Sequence, residues 1–214
     1  MQIGYIFDLD GVLTDTAEFH YRAWQRVAEE EGLPFTREDN EALRGVPRRA
    51  SLETLLKGRT LPEATMLQIM ERKNNYYREF LQEITPAGLL PGVKALLDEA
   101  RAARVRLGLG SASKNARDVC ERLGIMDYIN AFGDGYSVVN AKPAPDLFLW
   151  VAGGLGLNPQ QCIVFEDSEA GIDAGLAGGF RTLGIGPVER VGRAHRIRDD
   201  LSNSQVAEFT LPLV

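Results

Sequence analysis

Residues 3–24 read IGYIFDLDGVLTDTAEFHYRAW. The apolar run from Ile3 to Phe7 has the length and make-up of a strand buried on both faces. It ends in two carboxylates one residue apart, Asp8 and Asp10, with a glycine behind them. Burying charge is costly unless the charge is paired or ligated, so acids at this point need a reason. Three reasons are open. The acids bind a metal, they divide a chemical task between them, or Asp10 and Asp15 merely cap the amphipathic stretch that follows.

The pattern repeats along the chain. The runs 105–110 (VRLGLG), 162–167 (CIVFED) and 180–186 (FRTLGIG) also read as buried strands. The first ends at Ser111 and the second at Glu166 and Asp167. Between them lie helical patterns: GVKALLDEARAARV (92–105) spaces Val93, Leu96, Leu97 and Ala100 by three and four, and KNARDVCERLGI and PDLFLWVAGGLG follow suit. Strands alternating with helices predict an α/β fold, a doubly wound, Rossmann-like parallel-sheet core. In such a sheet, ligands bind beyond the carboxyl ends of the strands. Three reactive clusters at three such ends form a constellation.

Residues 16–87 differ. They carry helix-like stretches and no convincing strand. Tyr21, Trp24 and Ala28 mark one face, Pro34 and Pro62 punctuate turns, and Met66, Ile69, Met70, Tyr76, Tyr77, Phe80 and Leu81 line a later helix or pair. This reads as an inserted all-helical cap domain. The α/β core is then 1–15 with 88–214, and TPAGLLPG (85–92) returns the chain to it.

The chain has 214 residues, 44% hydrophobic and 25% charged, with a formal net charge of −6. That suits one globular protein able to bury its own core, and it excludes a basic nucleic-acid footprint. No apolar run approaches the roughly 18 residues of a membrane span. No basic segment followed by an apolar one begins the chain, so the expected location is cytoplasmic. Cys120 and Cys162, in apolar contexts, read as core thiols of a reducing compartment. The expected partners are small molecules, with no nucleic acid and no membrane, and a monomer is expected.

Three rival motifs fail. Counted from Asp8, an EF-hand loop would put Val12, Leu13 and Phe19 where a ligand, a glycine and a glutamate belong. GLGSAS (108–113) lacks the third glycine of a dinucleotide fingerprint, and no Gly-Lys-Ser/Thr occurs. The acids fit phosphoryl transfer better. A strand-end aspartate can serve as nucleophile, a second acid as proton donor and acceptor, and further carboxylates can help hold Mg²⁺. Ser111 could bond the transferring group and Lys142 neutralise its charge. Each residue alone has a plainer reading: caps for Asp10 and Ser111, a surface lysine before a turn for Lys142.

DLDGVLTDT, then GSAS, then KPAPD and FEDSEAGI, in this order, resemble the four motifs of the haloacid dehalogenase superfamily of phosphotransferases. The resemblance implies that Asp8 is phosphorylated, that Asp10 is acid and base, that Mg²⁺ is required, and that Ser111, Lys142, Glu166 and Asp167 support them. The metal set it implies is Asp8, Asp10, Glu166 and Asp167. A mutase needs a second phosphate pocket, because its intermediate is a bisphosphate. RGVPRRASLETLL (44–56) and SASKN (111–115) offer donors beside helix starts. With ERKNNYY (71–77), they resemble the superfamily's sugar phosphomutases. That likeness implies that Gly45, Val46, Arg48, Ser51, Ser113, Lys114 and Asn115 bind substrate. It also implies that His20, Trp24 and Lys73 face the site, with Thr16 at a hinge. His20 has a rival reading as a histidine packed among Phe19, Tyr21 and Trp24. The expected activity is interconversion of β-glucose 1-phosphate and glucose 6-phosphate through a bisphosphate. A sugar-phosphate phosphatase and a non-catalytic phosphosugar-binding regulator remain open.

Overall fold

The computed structural model describes residues 2–43 and 46–209. In chain order the elements are β1 (Gly4–Phe7), α1 (Ala17–Glu31), α2 (Arg37–Glu41), α3 (Arg48–Leu55), α4 (Glu63–Phe80), α5 (Val93–Ala102), β2 (Arg106–Gly110), α6 (Ala116–Arg122), β3 (Ala131–Gly133), α7 (Asp146–Leu155), β4 (Cys162–Glu166), α8 (Glu169–Ala177), β5 (Arg181–Ile185), α9 (Val188–Val191) and β6 (Arg196–Arg198). They form two compact units, Met1–Asp15 with Thr85–Val214, and Thr16–Ile84.

The first unit is a doubly wound α/β domain. Among the described residues its sheet has six strands in the order β3-β2-β1-β4-β5-β6, all paired in parallel. The order reverses direction between β1 and β4, whose registers align Phe7 with Phe165. The central strands are buried throughout, which is why they read as continuous apolar runs. Alternate residues serve opposite faces. Ile6 and Val164 join Phe148, Val151 and Phe180 on one side. On the other, the Phe165 ring lies 4.5 Å from Phe7, 5.2 Å from Tyr5 and 5.4 Å from Phe209. β3 and β6, absent from the sequence reading, are the two sheet edges. They have three residues each, AFG and RIR, too few to display a period.

The second unit is helical. Trp24, Val27 and Ala28 of α1 pack with Leu52 and Leu55 of α3 and Met66 and Ile69 of α4, the three-and-four spacing of an apolar stripe. Gly32 ends α1 in the left-handed conformation. Thr36 starts α2 through a reciprocal cap with Asp39, and Pro62 precedes α4. The sequence closes this insert at 87, but residues 85–87 run with the sheet unit. Thr14 Oγ1 donates to the Gly88 carbonyl (2.7 Å) and the Leu90 N–H to that of Leu13 (3.0 Å). These bonds between residues far apart in sequence carry no local signal.

Both cysteines are free and buried, and burial pushes each thiol up to about 12. Among the described residues no helix is long and apolar enough to cross a membrane.

Candidate active site

At the carboxyl end of β1 the backbone turns sharply. The Asp8 N–H still bonds the Phe165 carbonyl at 2.9 Å, which keeps the strand pairing one residue further. Gly11 then takes φ +83°, and its N–H closes on the Thr14 carbonyl at 2.7 Å. The sharp turn separates the two acids. Asp8 is buried, while Asp10 is half-exposed. Two carboxylates in unlike settings are suited to unlike tasks.

The centre of the cluster is Lys142, on the turn before α7. Its ammonium donates to Asp8 Oδ1 at 2.5 Å and to Glu166 Oε1 at 2.7 Å. All three side chains are at least nine-tenths buried. Burial alone would strip the lysine of its proton, but Asp8 and Glu166 outweigh it and hold the ammonium above its ordinary range. Asp8 feels the opposite balance. Burial drives its carboxyl upward, Lys142 pulls it back, and Glu166 and Asp10 raise it again. The cluster therefore holds more acid than Lys142 can balance. A surface lysine before a turn, the plainer reading of Lys142, is not what the fold contains.

Glu166 is fully engaged. Its Oε1 accepts from Lys142, and its Oε2 accepts from the Ser168 N–H (2.6 Å) and hydroxyl (2.9 Å). The sequence grouped Glu166 with the metal carboxylates. Here both of its oxygens are spent on protein donors, so it braces Lys142. Ser168 escaped the sequence reading. Its Oγ also accepts the Gly171 N–H at the start of α8, and the only trace in sequence is a serine where a helix begins.

Asp167, buried beside it, lies over the β1 turn. A Cβ on Gly11 would stand 2.2 Å from Asp167 Oδ2, so only a glycine lets the carboxylate rest against the Asp10–Gly11 backbone. Among the described residues, no three His, Cys, Asp or Glu side chains converge as a metal cage. Mg²⁺ does not need one, since it binds through one or two carboxylates and keeps the other positions for phosphate and water. Asp8, the Asp10 carbonyl and Asp167, in a cluster with excess acid, fit such an ion.

Ser111 ends β2, buried, with its N–H on the Gly133 carbonyl. The following donors differ from expectation. The N–H groups of Ser113 and Asn115 are turned onto the hydroxyls of Ser111 (3.1 Å) and Ser113 (3.2 Å). The open helix start expected at 111–115 is thus partly consumed. The Lys114 ammonium lies 4.9 Å from the Tyr136 ring centre.

The helical unit holds its own cluster. Lys73 is buried, its Nζ 2.8 Å from His20 Nδ1, 4.8 Å from the Tyr77 ring centre and 5.2 Å from that of Trp24. The His20 ring lies 4.3 Å from that of Tyr77. His20 thus packs on Tyr77 with its Nδ1 hydrogen-bonded to the Lys73 Nζ. Arg48 and Arg49 part ways. Arg48, half-buried, donates to Asn74 Oδ1 at 2.7 Å, while Arg49 lies exposed between Glu53 and Glu63. Ser51 turns its hydroxyl to the Val46 and Pro47 carbonyls, which makes it part of the loop's frame. Thr16 is buried and opens the unit, ahead of α1, without a side-chain cap bond. Gly45 lies outside the described residues.

Lys142→Met should destabilise the metal-free protein by about 3–5 kcal/mol, because it leaves two buried carboxylates facing each other without a cation. Urea unfolding in a chelator measures this. The double variant Lys142→Met/Glu166→Gln should recover part of the loss. A single variant within about 1 kcal/mol of wild type, the size of an ordinary substitution, would show that the ion cluster does not carry the fold.

Comparison with known proteins follows the same outline. A model of the haloacid dehalogenase-like hydrolases matches residues 4–179. A β-phosphoglucomutase of Bacillus subtilis is 38% identical over 213 residues, 98% of this chain and 92% of the relative. A phosphorylated carbohydrates phosphatase of Thermotoga maritima is 32% identical over 184 residues, 83% of this chain and 82% of that one. The crystal structure of a β-phosphoglucomutase from Clostridium difficile superposes with a TM-score of 0.92 at 38% identity, covering 97% of this chain and 95% of its own.

Proposed function

Because the chain belongs to the haloacid dehalogenase-like hydrolase family, we propose that it is a phosphomutase that interconverts β-glucose 1-phosphate and glucose 6-phosphate. The observation that carries the chemistry is the buried Asp8–Lys142–Glu166 cluster at the reversal of strand order. The choice of a mutase rests on the similarity to β-phosphoglucomutases across nearly the whole chain.

In this reading an Asp8 carboxylate oxygen attacks phosphorus, and the bond from phosphorus to the sugar oxygen breaks. Asp10 gives its proton to that departing oxygen. Asp10 then takes the proton of the incoming sugar hydroxyl, whose oxygen attacks the phosphoryl group and frees the Asp8 carboxylate. Lys142, braced by Glu166 and Ser168, holds the Asp8 side chain in one rotamer and balances charge on the transferring oxygens. The Ser111 hydroxyl donates to one of those oxygens. Asp8, the Asp10 carbonyl and Asp167 would hold Mg²⁺, which when bound supplies positive charge beside the transferring phosphoryl group. For the phosphate that does not react, the likeness offers Ser113, Lys114 and Asn115 on the sheet unit and, separately, Arg48 on the helical unit.

A second reading, a sugar-phosphate phosphatase, is supported by the Thermotoga relative. The deciding assay supplies β-glucose 1-phosphate, Mg²⁺ and a trace of bisphosphate primer. Glucose 6-phosphate as main product is the expected result, and free phosphate as main product would select the phosphatase.

The two adjacent arginines test the second phosphate contact. Arg48→Ala should raise KM for the glucose phosphates by the equivalent of about 1.5–3 kcal/mol, the worth of a charge-assisted bond. It should spare phosphorylation of Asp8 by acetyl phosphate, which has no second phosphate. Arg49→Ala should do little, since its partners are exposed glutamates. Equal damage by Arg48→Ala with both donors would remove Arg48 from the distal phosphate.

A further inference from the structure

The guanidinium of Arg190, on α9, reaches back across the strand ends toward Asp167. Its Nη1 lies 3.8 Å from Asp167 Oδ2, the oxygen that rests on the β1 turn. It comes this close because Gly186, just past β5, has no side chain. A Cβ there would stand 2.9 Å from Arg190 Nη2, and Gly186 takes φ +112°. Arg190 Nε is buried without a hydrogen-bond partner. An ion pair at this range, with the arginine side chain 36% exposed, adds little to stability, and a buried unpaired donor is itself a cost. The arrangement is poor as a brace. Its charge, partly screened at this exposure, nonetheless acts on whatever else approaches the Asp167 carboxylate.

We infer that the Arg190 guanidinium competes with a divalent cation for the Asp167 carboxylate, so that α9 weakens the cation affinity of this chain. This rests on the reading of Asp167 as a cation ligand. Two like charges a few ångströms apart near a protein surface repel appreciably. A cation entering beside Asp167 displaces the guanidinium, shares Oδ2 with it, or takes Oδ1 with that positive charge a few ångströms away. The affinity observed is therefore lower than the carboxylates alone would give.

The test is calorimetric titration of Mg²⁺ into the metal-free full chain, with no sugar phosphate present, for wild type, Arg190→Gln, Arg190→Lys and Asp167→Asn. Arg190→Gln should bind Mg²⁺ about tenfold more tightly, a gain of the size expected from a partly screened charge. The gain should shrink as salt is raised. Arg190→Lys, which keeps the charge, should bind like wild type. The urea midpoint of metal-free Arg190→Gln should not move, which a structural role would not allow. Loss of Mg²⁺ binding in Asp167→Asn, together with unchanged or weaker binding in Arg190→Gln, would overturn the inference and leave the cation site standing. Wild-type binding in Asp167→Asn would remove the ligand reading and the inference with it.

Discussion

Asp8→Asn is expected to abolish phosphoryl transfer from every donor, sugar phosphate and acetyl phosphate alike, while the protein keeps its fold. An amide oxygen is too weak a nucleophile to attack phosphorus, and an amide cannot carry the phosphoryl group. The fold should survive because the change removes a buried charge that burial already disfavours. Lys142 also keeps Glu166 as its ion partner, and the amide oxygen can still accept from the ammonium. Mass spectrometry of the acid-quenched protein after acetyl phosphate treatment reads the covalent step directly. One added phosphoryl group is expected on wild type and none on the variant, with matching far-ultraviolet spectra. Turnover of Asp8→Asn near the wild-type rate would eliminate the covalent mechanism.

Asp10→Asn should lower kcat for glucose phosphates by about 10²–10⁴, the usual worth of a positioned acid and base. The main-chain carbonyl at position 10 is untouched, so Mg²⁺ binding should persist. The loss should depend on the leaving group. A sugar alkoxide needs a proton as it departs, whereas acetate does not. Phosphorylation by acetyl phosphate should therefore fall much less than turnover of the sugar phosphate. A variant within twofold of wild type on glucose phosphates, far below that range, would show that Asp10 is not the acid. Equal losses with both donors would mean that Asp10 shapes the turn and does not move the proton.

Much of this site is legible in the chain because its residues stand at the ends of strong local patterns. The buried runs before Asp8, Ser111 and Glu166 are continuous and apolar. A parallel sheet must place such runs side by side, with their carboxyl ends on one edge. The acids at those ends had to meet. The helical insert was equally plain from Tyr21, Trp24 and Ala28; Trp24 and Ala28 join its core beside Val27, while Tyr21 stacks on Phe35.

What escaped depends on contacts between residues distant in sequence. β3 and β6 owe their strand state to the neighbour each pairs with, and three residues cannot announce it. Glu166 and Asp167 are adjacent acids, and nothing in their order says which one serves Lys142. β4 ends at Glu166, so Asp167 leaves from the bend that follows, and Ser168 then claims one Glu166 oxygen. Arg48 and Arg49 look interchangeable until α3 turns one toward Asn74 and the other toward Glu63. Arg190 had no motif at all; it reaches Asp167 only because β4 and β5 are neighbours and Gly186 leaves room. Period and composition act within a few residues, which was enough for the fold class, the order of the longer elements and the acids at the strand ends. Only the tertiary structure decided which oxygen meets which donor, because partner choice is set by sheet order and by the direction each side chain leaves its backbone.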